Sequence, residues 1–484
     1  MAYLKDLLKQ VTYICTRGTM DCKVTHICHD SRQVVRGSMF ICLAGSREDG
    51  HDYLAQAIRK GAAVCVVSKH VWVEGDVTVI RVRNTSEAMA WIARNYYGAP
   101  AEAMQMIGIT GTKGKTTTAC MLYQMLKEAG VKCGLIGTLG VRRSDGLKKP
   151  GSNTTPDALV LQKELREMAD AGCSCCVMEV SSQGLKHYRV EGITFAIGIY
   201  TNLSMDHIGP GEHRSFREYA CCKKRLFERS RMICINADDK YHGFMTADLS
   251  APVYTYGIEQ PCDIRAEHIL YERSSRGLNV TYQTTGWIKD EIVLKMPGTA
   301  NVYNSLAAME AAHLLGISPE TIRKTLRNVS VKGRIEEVRI SDKFDVVIDY
   351  AHNAASLESL IKTLRQYQPK RLVLLFGCGG NRSPLRRFQM GETAGRLSDV
   401  TILTSDNPRY EKPEAILSDI EQGMKRTKGK YKIIPDRREA ISYAVSQAQE
   451  GDLIVVAGKG HEEYQEIEGH FYPMNEREMI ENSR

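Results

Sequence analysis

The segment GITGTKGKTTTAC (residues 108–120) has the residue types of a loop that holds a nucleotide phosphate. Glycines allow several backbone N–H groups to point at one anion, and the start of a following helix adds partial positive charge. In such loops a lysine, here Lys115, neutralises the phosphates, and a hydroxyl, here that of Thr116, binds Mg²⁺. The strict spacing GxxxxGK[ST] would need glycine where this chain has Ile109. Because a strand-like run precedes the loop and a helix-like run follows it, the pattern predicts an ATP site rather than a plain turn. The predicted ATP-binding residues of the loop are Gly111, Thr112, Lys113, Gly114, Lys115, Thr116 and Thr117.

Polar residues also end two further strand-like runs. Glu179 ends the run in MEVSS, and Asp206 and His207 end the next one, TNLSMDH. Either alone is typical of an ordinary polar strand end. A carboxylate and an imidazole at neighbouring strand ends, beside a phosphate loop, are suited to binding Mg²⁺.

Composition restricts the class of protein. The 484 residues favour two to four domains, and 43% hydrophobic with 25% charged residues is typical of a soluble globular protein. We find neither an apolar run of about 18 residues nor the features of a signal peptide, so we expect no membrane segment. The 65 Lys and Arg against 57 Asp and Glu give a charge of +8, which suits anionic small molecules; no basic run indicates nucleic acid.

The 15 cysteines are scattered or lie in strand-like runs such as CSCCVMEV. This distribution favours reduced, buried thiols and a cytoplasmic protein. Cys173 and Cys176 have CxxC spacing, but no second Cys or His pair lies nearby to complete a zinc site.

Strands that alternate with helices are expected to position these residues. Strand-like runs include SMFICLAG, AAVCVVS, AMQMIGIT, CSCCVMEVSS, FAIGIYTNLS and RMICINAD, and a second series begins near residue 334 with FDVVIDYAH, RLVLLFGCGG, VTILTSDNP, KYKIIPD and GDLIVVAGKG. This order predicts parallel sheets covered by helices on both faces, with ligands at the carboxyl ends of the strands. We predict three α/β domains, residues 1–98, 99–333 and 334–484.

The loop GTKGKTTT resembles the GTxGKT loop of the Mur ligases, the ATP-dependent enzymes that add amino acids to the peptidoglycan precursor. The resemblance extends along nearly the whole chain, in order, through HDSRQVVRGSMFICLAG, NTTPDAL, MEVSSQGLKHYRV, TNLSMDH, PGTANVYNSLAA, GRIEEV, DYAHN, FGCGG, DNPR and GKGHEEYQ. It implies an N-terminal uridine-nucleotide-binding domain, a central P-loop-type ATPase domain with a parallel sheet, and a C-terminal Rossmann-like domain.

The resemblance also implies roles for individual residues. Lys115, Glu179, His207 and Lys223 would be catalytic, with Thr116 and Glu179 on one Mg²⁺ and His207 at a second metal. The pattern YxxxKxxLF selects Lys223 over Lys224 as a lysine carbamylated by CO₂, whose oxygens bind metal as a cation cannot. Further ATP contacts would be Asn301, Asn304, Arg334 and Asp349. The UDP-N-acetylmuramoyl-L-alanyl-D-glutamate contacts would be Ser31, Arg32, Thr154, Thr155, Ser182 and Arg189.

The loop TSDNPRYE bears on which amino acid is added. In the resembling branch, DNPR is typical of enzymes that add meso-diaminopimelate. Diaminopimelate differs from lysine by one carboxylate, which the guanidinium of Arg409 can hold with two hydrogen bonds. The implied amino-acid contacts are Arg382, Asp406, Asn407, Arg409, Gly458 and Glu462.

We therefore predict ATP-dependent amide formation through an acyl phosphate, by a cytoplasmic, monomeric enzyme that uses Mg²⁺. Addition of L-lysine or another amino acid, a folylpolyglutamate-synthetase-like ligase, and a repurposed nucleotide-binding paralogue remain alternatives. The last draws on departures from the family pattern at Gln183, Asn353 and residues 381–387. FGCGGNR is not a dinucleotide motif, because Arg382 stands where its third glycine would be.

Overall fold

The computed structural model describes residues 2–45, 48–149, 151, 153–209, 211–274 and 277–483. These residues form two compact units, Met1–Ile264 with Leu306–Thr321, and Arg265–Ser305 with Ile322–Arg484. None of the helices in the described ranges is long and apolar enough to cross a membrane.

The first unit begins with a small α/β sheet. Its five strands lie in the order β2-β7-β6-β5-β4, all parallel except β2. Neighbouring side chains on β5, such as Met39 and Phe40, pack into cores on opposite faces, as the apolar runs predict. Two further strands, β1 and β3, pair antiparallel in a separate two-stranded sheet. The strands of this region are β1 Ala2–Tyr3, β2 Tyr13–Arg17, β3 Lys23–Val24, β4 His26–Cys28, β5 Ser38–Ile41, β6 Ala62–Val67 and β7 Thr78–Val82, and the α-helices are α1 Leu4–Leu7, α2 Leu54–Arg59 and α3 Thr85–Tyr96.

The second sheet of this unit is parallel from β9 to β15, in the order β11-β10-β9-β12-β8-β13-β14-β15, with an antiparallel extension at β10 and β11. Because β8 lies between β12 and β13, the loop that follows it is flanked by the ends of both strands. The strands are β8 Gln105–Thr110, β9 Cys133–Gly137, β10 Gly140–Arg142, β11 Lys148–Lys149, β12 Cys175–Glu179, β13 Phe195–Tyr200, β14 Ser230–Asn236 and β15 Val253–Gly257, and the helices are α4 Lys115–Glu128, α5 Ala158–Asp170, α6 Ser182–Lys186, α7 Phe216–Lys224 and α8 His242–Thr246.

Helix α5 contributes to two hydrophobic cores. Its first residues, Ala158 and Leu159, are buried in the core of the N-terminal sheet. Leu161, Leu165 and Met168 are buried in the core of the central sheet. The side chain of Asp157 caps the helix by accepting hydrogen bonds from two backbone N–H groups of the first turn. One helix therefore packs against both sheets.

The second unit contains three neighbouring strands, β16, β17 and β18, and a larger sheet. The larger sheet has the order β19-β20-β24-β21-β22-β23 and is parallel except for β19. The strands are β16 Ile264–Ser274, β17 Gly277–Gly286, β18 Glu291–Leu294, β19 Glu336–Glu337, β20 Asp345–Asp349, β21 Arg371–Phe376, β22 Val400–Leu403, β23 Lys430–Ile433, β24 Asp452–Ala457, β25 Tyr464–Ile467 and β26 His470–Pro473. Helices α9 Thr299–Leu314 and α10 Pro319–Asn328 each include residues of both units. The other helices are α11 Ala354–Arg365, α12 Pro384–Leu397, α13 Pro413–Met424, α14 Arg437–Ser446 and α15 Glu476–Glu481.

The predicted α/β class and its parallel sheets are confirmed. All eleven strand-like runs of the sequence form strands, from SMFICLAG (β5) to GDLIVVAGKG (β24). The strands β15–β18 were not predicted. In β16 the regular alternation of apolar and polar types is weak, because Leu270 is exposed whereas the charged residues Arg265, Glu267 and Arg273 are partly buried on the other face.

Candidate active site

The glycine loop joins β8 to α4 and turns back over its own lysine. Gly111 and Gly114 have φ of +153° and +89°, values that side-chain-bearing residues rarely adopt. A Cβ at Gly111 would also overlap the hydroxyl of Thr201. The ammonium of Lys115 donates to the carbonyls of Gly111 (2.9 Å) and Thr112 (3.1 Å). Lys115 is thus held at the mouth of the loop, at the N-terminus of α4.

Residues that directly follow β13 form hydrogen bonds with the backbone of the glycine loop. Thr201 donates from its hydroxyl to the carbonyl of Lys113 (2.6 Å), and the side-chain oxygen of Asn202 accepts from the N–H of Lys113 (3.0 Å). The N–H of Thr112 donates to the carbonyl of Asn202 (2.8 Å). We did not predict a role for Thr201 or Asn202, although both lie in the TNLSMDH motif and follow a buried strand.

Glu179 lies at the end of β12, with 2% of its surface exposed. Its carboxylate accepts from the hydroxyl of Thr116 (2.9 Å) and from the N–H (2.8 Å) and hydroxyl (3.2 Å) of Thr138. Thr116 and Glu179 therefore place two oxygen ligands together beside the glycine loop, the chemistry that Mg²⁺ prefers. Among the described residues no three His, Cys, Asp or Glu side chains cluster in a way that could hold a metal ion.

Lys223, on α7, is buried against the same loop, with 1% of its surface exposed. Its Nζ donates to the carbonyl of Gly111 (2.7 Å) and lies 4.6 Å from the ring centre of Tyr219. Burial, reinforced by the nearby charge of Lys115, lowers the pKa of Lys223 well below that of a free lysine. The neighbouring Lys224 lies over the ring of Phe244 instead, 5.4 Å from its centre. Only Lys223 of the adjacent pair thus contacts the loop.

Two histidines lie around Tyr219, whose hydroxyl is 3.0 Å from that of Thr112. His207 has φ of +55°, is about half exposed, and its Nδ1 is 3.2 Å from a carboxylate oxygen of Glu212. His213 was not predicted. It is fully buried, its Nε2 lies 2.9 Å from the hydroxyl of Ser182, and burial lowers its pKa.

Of the four predicted muramoyl-peptide contacts of the central region, Thr155 contacts Glu179 directly, and Thr154 and Arg189 are one hydrogen bond further away. Thr154 bonds through its hydroxyl to that of Thr138 (3.0 Å), which also contacts Glu179. Thr155 donates to the carbonyl of Glu179 (2.9 Å), and Arg189 donates to the carbonyl of Thr155 (2.8 Å). Burial lowers the pKa of Arg189. Ser182 starts α6, one residue beyond Ser181, which bonds to Thr155.

Ser31 and Arg32 lie in the N-terminal sheet region. The Ser31 hydroxyl is buried and donates to Gln56 (2.8 Å), whereas Arg32 is exposed and paired with Asp30 (2.8 Å). Their neighbour His29 lies 4.0 Å from Asp157, the residue that caps α5 two positions after Thr155. The segment that carries Ser31 and Arg32 therefore contacts the start of α5 through His29.

The other predicted ATP contacts belong to the second unit. On α9, Asn304 donates to the side chain of Asn301 (3.0 Å), which in turn donates to the carbonyl of Pro297 (2.8 Å). The guanidinium of Arg334 stacks on Tyr350, 4.6 Å from its ring centre. The carboxylate of Asp349 accepts from the N–H groups of Ile335 and Ala351 (both 2.8 Å), and burial raises its pKa.

A cavity of about 130 Å³ opens at the carboxyl ends of β20, β21, β22 and β24. All six predicted amino-acid contacts line it, namely Arg382, Asp406, Asn407, Arg409, Gly458 and Glu462. The cavity is rich in guanidinium groups, since Arg386 and Arg387 line it as well. It thus suits a ligand that carries carboxylates.

Lys459 is a buried member of this site that we did not predict. Its Nζ donates to the side-chain oxygen of Asn407 (2.8 Å) and to Glu462 (3.3 Å), and Asn407 donates to the same Glu462 oxygen (2.8 Å). These three side chains form a closed triangle. Lys459 belongs to the GKGHE motif, but a lysine with no exposed surface is rare. Its burial is therefore seen only in the folded structure.

The glycines of FGCGG allow two loops to approach closely. A Cβ at Gly377 would overlap the carbonyl of Thr404, and one at Gly380 would overlap that of Pro408. The N–H of Gly380 donates to the carbonyl of Asn407 (2.8 Å). The glycine run therefore brings the loop after β21 against the DNPR loop, which accounts for its composition without a dinucleotide.

A buried ion pair holds two of the segments that line the cavity. Arg437 donates to Glu476 (2.6 Å) and to the carbonyls of Ala457 (2.8 Å) and Ser405 (3.2 Å), so it ties β24 to the DNPR loop. Both side chains are at most 1% exposed, and burial raises the pKa of Glu476.

The parallel sheets, the glycine loop with its two lysines and the strand-end cavity define an α/β enzyme with a phosphate-binding loop. Three parts of the chain match Mur ligase domains. Residues 23–97 match the Mur ligase family catalytic domain, 109–312 the Mur ligase middle domain, and 333–460 the Mur ligase glutamate ligase domain. The chain belongs to the Mur ligase family.

Similar proteins cover the whole chain. UDP-N-acetylmuramoyl-L-alanyl-D-glutamate–2,6-diaminopimelate ligase of Caldanaerobacter subterraneus subsp. tengcongensis is 41% identical, over 99% of this chain and 98% of its own length. The ligase of the same name from Clostridium perfringens is 38% identical over the same shares. A solved structure of a ligase of this name superposes with a TM-score of 0.69 at 30% identity, covering 95% of this chain and 94% of its own. Folylpolyglutamate synthase of Mycobacterium tuberculosis shares the fold, with a TM-score of 0.62 at 17% identity over 76% of this chain.

Proposed function

We propose that this protein is an ATP-dependent ligase that joins meso-diaminopimelate to UDP-N-acetylmuramoyl-L-alanyl-D-glutamate through an acyl phosphate. The observation that carries the proposal is the single cavity lined by Arg382, Asp406, Asn407, Arg409, Gly458 and Glu462, in a chain that is full-length similar to ligases of that name. An activated carboxyl is needed because a carboxylate at neutral pH is a poor electrophile.

The glycine loop would hold the phosphates of ATP. Its backbone N–H groups and the N-terminus of α4 supply positive potential. Lys115, already at the loop mouth, would exchange its carbonyl partners for phosphate oxygens. Thr201 and Asn202 would keep the loop in shape during the transfer, because their side chains bond its backbone at Lys113.

Thr116 and Glu179 would hold one Mg²⁺, since their oxygens are 2.9 Å apart and buried at the loop. When bound, the ion neutralises charge on the transferring phosphoryl group. His207, with a half-exposed ring near Tyr219, would reach a second metal. The carboxylate of Glu179 is oriented by three hydrogen-bond donors, the hydroxyl of Thr116 and the N–H and hydroxyl of Thr138. This orientation supports Glu179 as a ligand of the ion.

Lys223 would carry a carbamate. Only the neutral amine attacks CO₂, and the lowered pKa of Lys223 favours that form. The Nζ of Lys223 donates to the carbonyl of Gly111 (2.7 Å), so the amine lies at the glycine loop. Carbamylation replaces a buried amine by an anionic oxygen donor, which can bind a metal.

The muramoyl dipeptide would lie between Ser31 and Arg32 at its uridine end and Thr154, Thr155, Ser182 and Arg189 at its peptide end. Thr155 contacts Glu179 directly and Thr154 contacts it through Thr138, so the acceptor carboxylate would lie beside the phosphoryl group. In the cavity of the second unit, Arg409 would hold the distal carboxylate of diaminopimelate and Glu462 its ammonium group.

Other features of the proposal concern the whole chain. We propose domains of residues 1–98, 99–333 and 334–484, a monomeric state and a cytoplasmic location. Asn301, Asn304, Arg334 and Asp349 would contact the nucleotide. Lysine remains the competing amino acid, and the folylpolyglutamate synthases share only the fold with this chain.

Phosphate release tests the proposal. Purified protein with ATP and Mg²⁺ should release phosphate only when UDP-muramoyl dipeptide and an amino acid are both present, and diaminopimelate should be preferred among a panel of amino acids. Release that needs no muramoyl substrate would contradict the proposal. Absence of release in every combination would favour a repurposed nucleotide-binding paralogue.

A further inference from the structure

The loop that carries Arg409 is held by a β-hairpin. Strands β25 and β26 pair antiparallel directly after the Gly458–Glu462 loop. The N–H of Arg409 donates to the carbonyl of Glu466 (3.0 Å), and the N–H of Glu468 donates to the carbonyl of Arg409 (2.7 Å). Arg409 thus pairs with the hairpin as a strand residue would, opposite Ile467.

Two more hydrogen bonds join the same loop to the hairpin. Gln465 donates from its side chain to the carbonyl of Asp406 (2.7 Å), and the N–H of Glu466 donates to the side chain of Asn407 (3.0 Å). Arg409 itself has φ of +53°, a left-handed conformation that a residue with a side chain rarely adopts. The hairpin therefore maintains a backbone that the loop alone would not favour.

The side chain of Arg409 is fixed as well. Its Nε donates to a carboxylate oxygen of Glu466 (2.9 Å), and its Nη1 donates to the carbonyl of Gly380 (2.7 Å). Both partners of the ion pair are largely buried, with 25% and 20% of their side chains exposed. These contacts use two of the five N–H donors of a guanidinium. They orient the group while other donors remain for a ligand in the cavity that Arg409 lines.

We propose that Glu466 is a positioning residue for diaminopimelate: its carboxylate holds the guanidinium of Arg409 in the orientation that accepts the distal carboxylate of the substrate. This rests on the proposed function. A free arginine loses much rotamer freedom when it binds, and Glu466 removes that freedom before the substrate arrives. If Glu466 instead merely neutralised Arg409, its removal would strengthen the hold on a carboxylate.

The test uses the full-length protein and three variants. Glu466→Ala removes the contact, while Glu466→Gln keeps an oxygen that can accept from Nε. Glu468→Gln is the matched control, because it makes the same charge change two residues along the hairpin. Among the described residues the Glu468 side chain has no hydrogen-bond or ion-pair partner. Steady-state phosphate release is measured with diaminopimelate, with L-lysine and with varied ATP, alongside thermal unfolding.

We expect Glu466→Ala to raise the KM for diaminopimelate about tenfold, equivalent to about 1.4 kcal/mol, with kcat and the KM for ATP changed less than about twofold. The KM for lysine, which lacks the distal carboxylate, should stay nearly constant. Glu466→Gln should recover most of the loss, and Glu468→Gln should behave as the unmutated protein.

Three outcomes would overturn the inference: an unchanged or lower KM for diaminopimelate in Glu466→Ala, an equal effect of Glu468→Gln, or a parallel loss of stability, kcat and both KM values that Glu466→Gln does not rescue. In each of these the unmutated protein still ligates diaminopimelate, so the proposed function stands. No release by the unmutated protein would overturn both.

Discussion

Replacing Lys223 by alanine removes the one lysine of α7 that contacts the glycine loop. An ordinary lysine, with a pKa of about 10.4, is neutral in only about one molecule in a thousand at pH 7.4. Burial of Lys223 lowers its pKa and so raises the fraction of the neutral amine that can react with CO₂. Loss of one preorganised group near the developing charge typically costs about 100- to 1000-fold in rate, roughly 2.7–4 kcal/mol. We therefore expect kcat of Lys223→Ala to fall at least about 100-fold.

The assay is phosphate release with the muramoyl dipeptide and diaminopimelate, repeated with added acetate. Short carboxylates should restore part of the rate by supplying the missing oxygens. With ¹³C-bicarbonate, a carbamate signal should appear in the unmutated protein and disappear in Lys223→Ala. Lys224→Ala is the control, because Lys224 lies about 100° further round the helix and contacts Phe244. Near-normal turnover of Lys223→Ala would refute the carbamate, and an essential Lys224 would show that the chosen register is wrong.

Three further predictions concern the two units. Lys115→Ala should lose at least about 3 kcal/mol of transition-state stabilisation with an unchanged melting temperature, because the side chain contacts loop carbonyls and not the core; near-normal phosphate release would exclude the loop from the mechanism. The unmutated protein should prefer diaminopimelate to lysine at least about 100-fold in kcat/KM, roughly 2.7 kcal/mol, and Arg409→Ala should erase most of that gap; equal use of lysine would contradict the assignment. Glu476→Ala should lower the free energy of unfolding in urea by about 3–5 kcal/mol because it leaves Arg437 buried without its carboxylate, whereas a loss below about 1 kcal/mol would show that the pair is dispensable.

Local patterns were sufficient to predict the strand–loop–helix around Lys115. Apolar runs of strand length, glycines at the turn and a helix-like run are all short-range signals, and the structure has β8, the loop and α4 where they indicate. The same holds for the loops after β21, β22 and β24, because ligand sites follow the carboxyl ends of parallel strands. The resemblance to a known family, rather than any periodicity, selected Lys223 over Lys224.

Contacts between distant segments could not be predicted in this way. Lys459 and Asn407 are 52 residues apart, and nothing local to GKGHE indicates that its lysine is buried. The brace from Asn202 to Lys113 spans 89 residues, and the bond from His213 to Ser182 spans 31. Such pairs depend on strand order in the sheet, which a single sequence does not specify.

The position of α5 has a consequence for how long an acceptor the enzyme can use. Because Ala158 and Leu161, one turn apart, are buried in the cores of two different sheets, the helix ties those sheets together as a rigid spacer. The proposed uridine contact Ser31 and the proposed peptide contact Thr155 are then separated by a set distance, which acts as a ruler. A nucleotide-linked acceptor one residue shorter could fill the uridine end, yet its terminal carboxylate would not reach the phosphoryl group beside the glycine loop. The order of residues added to the growing peptide would then be read by length as well as by side chain.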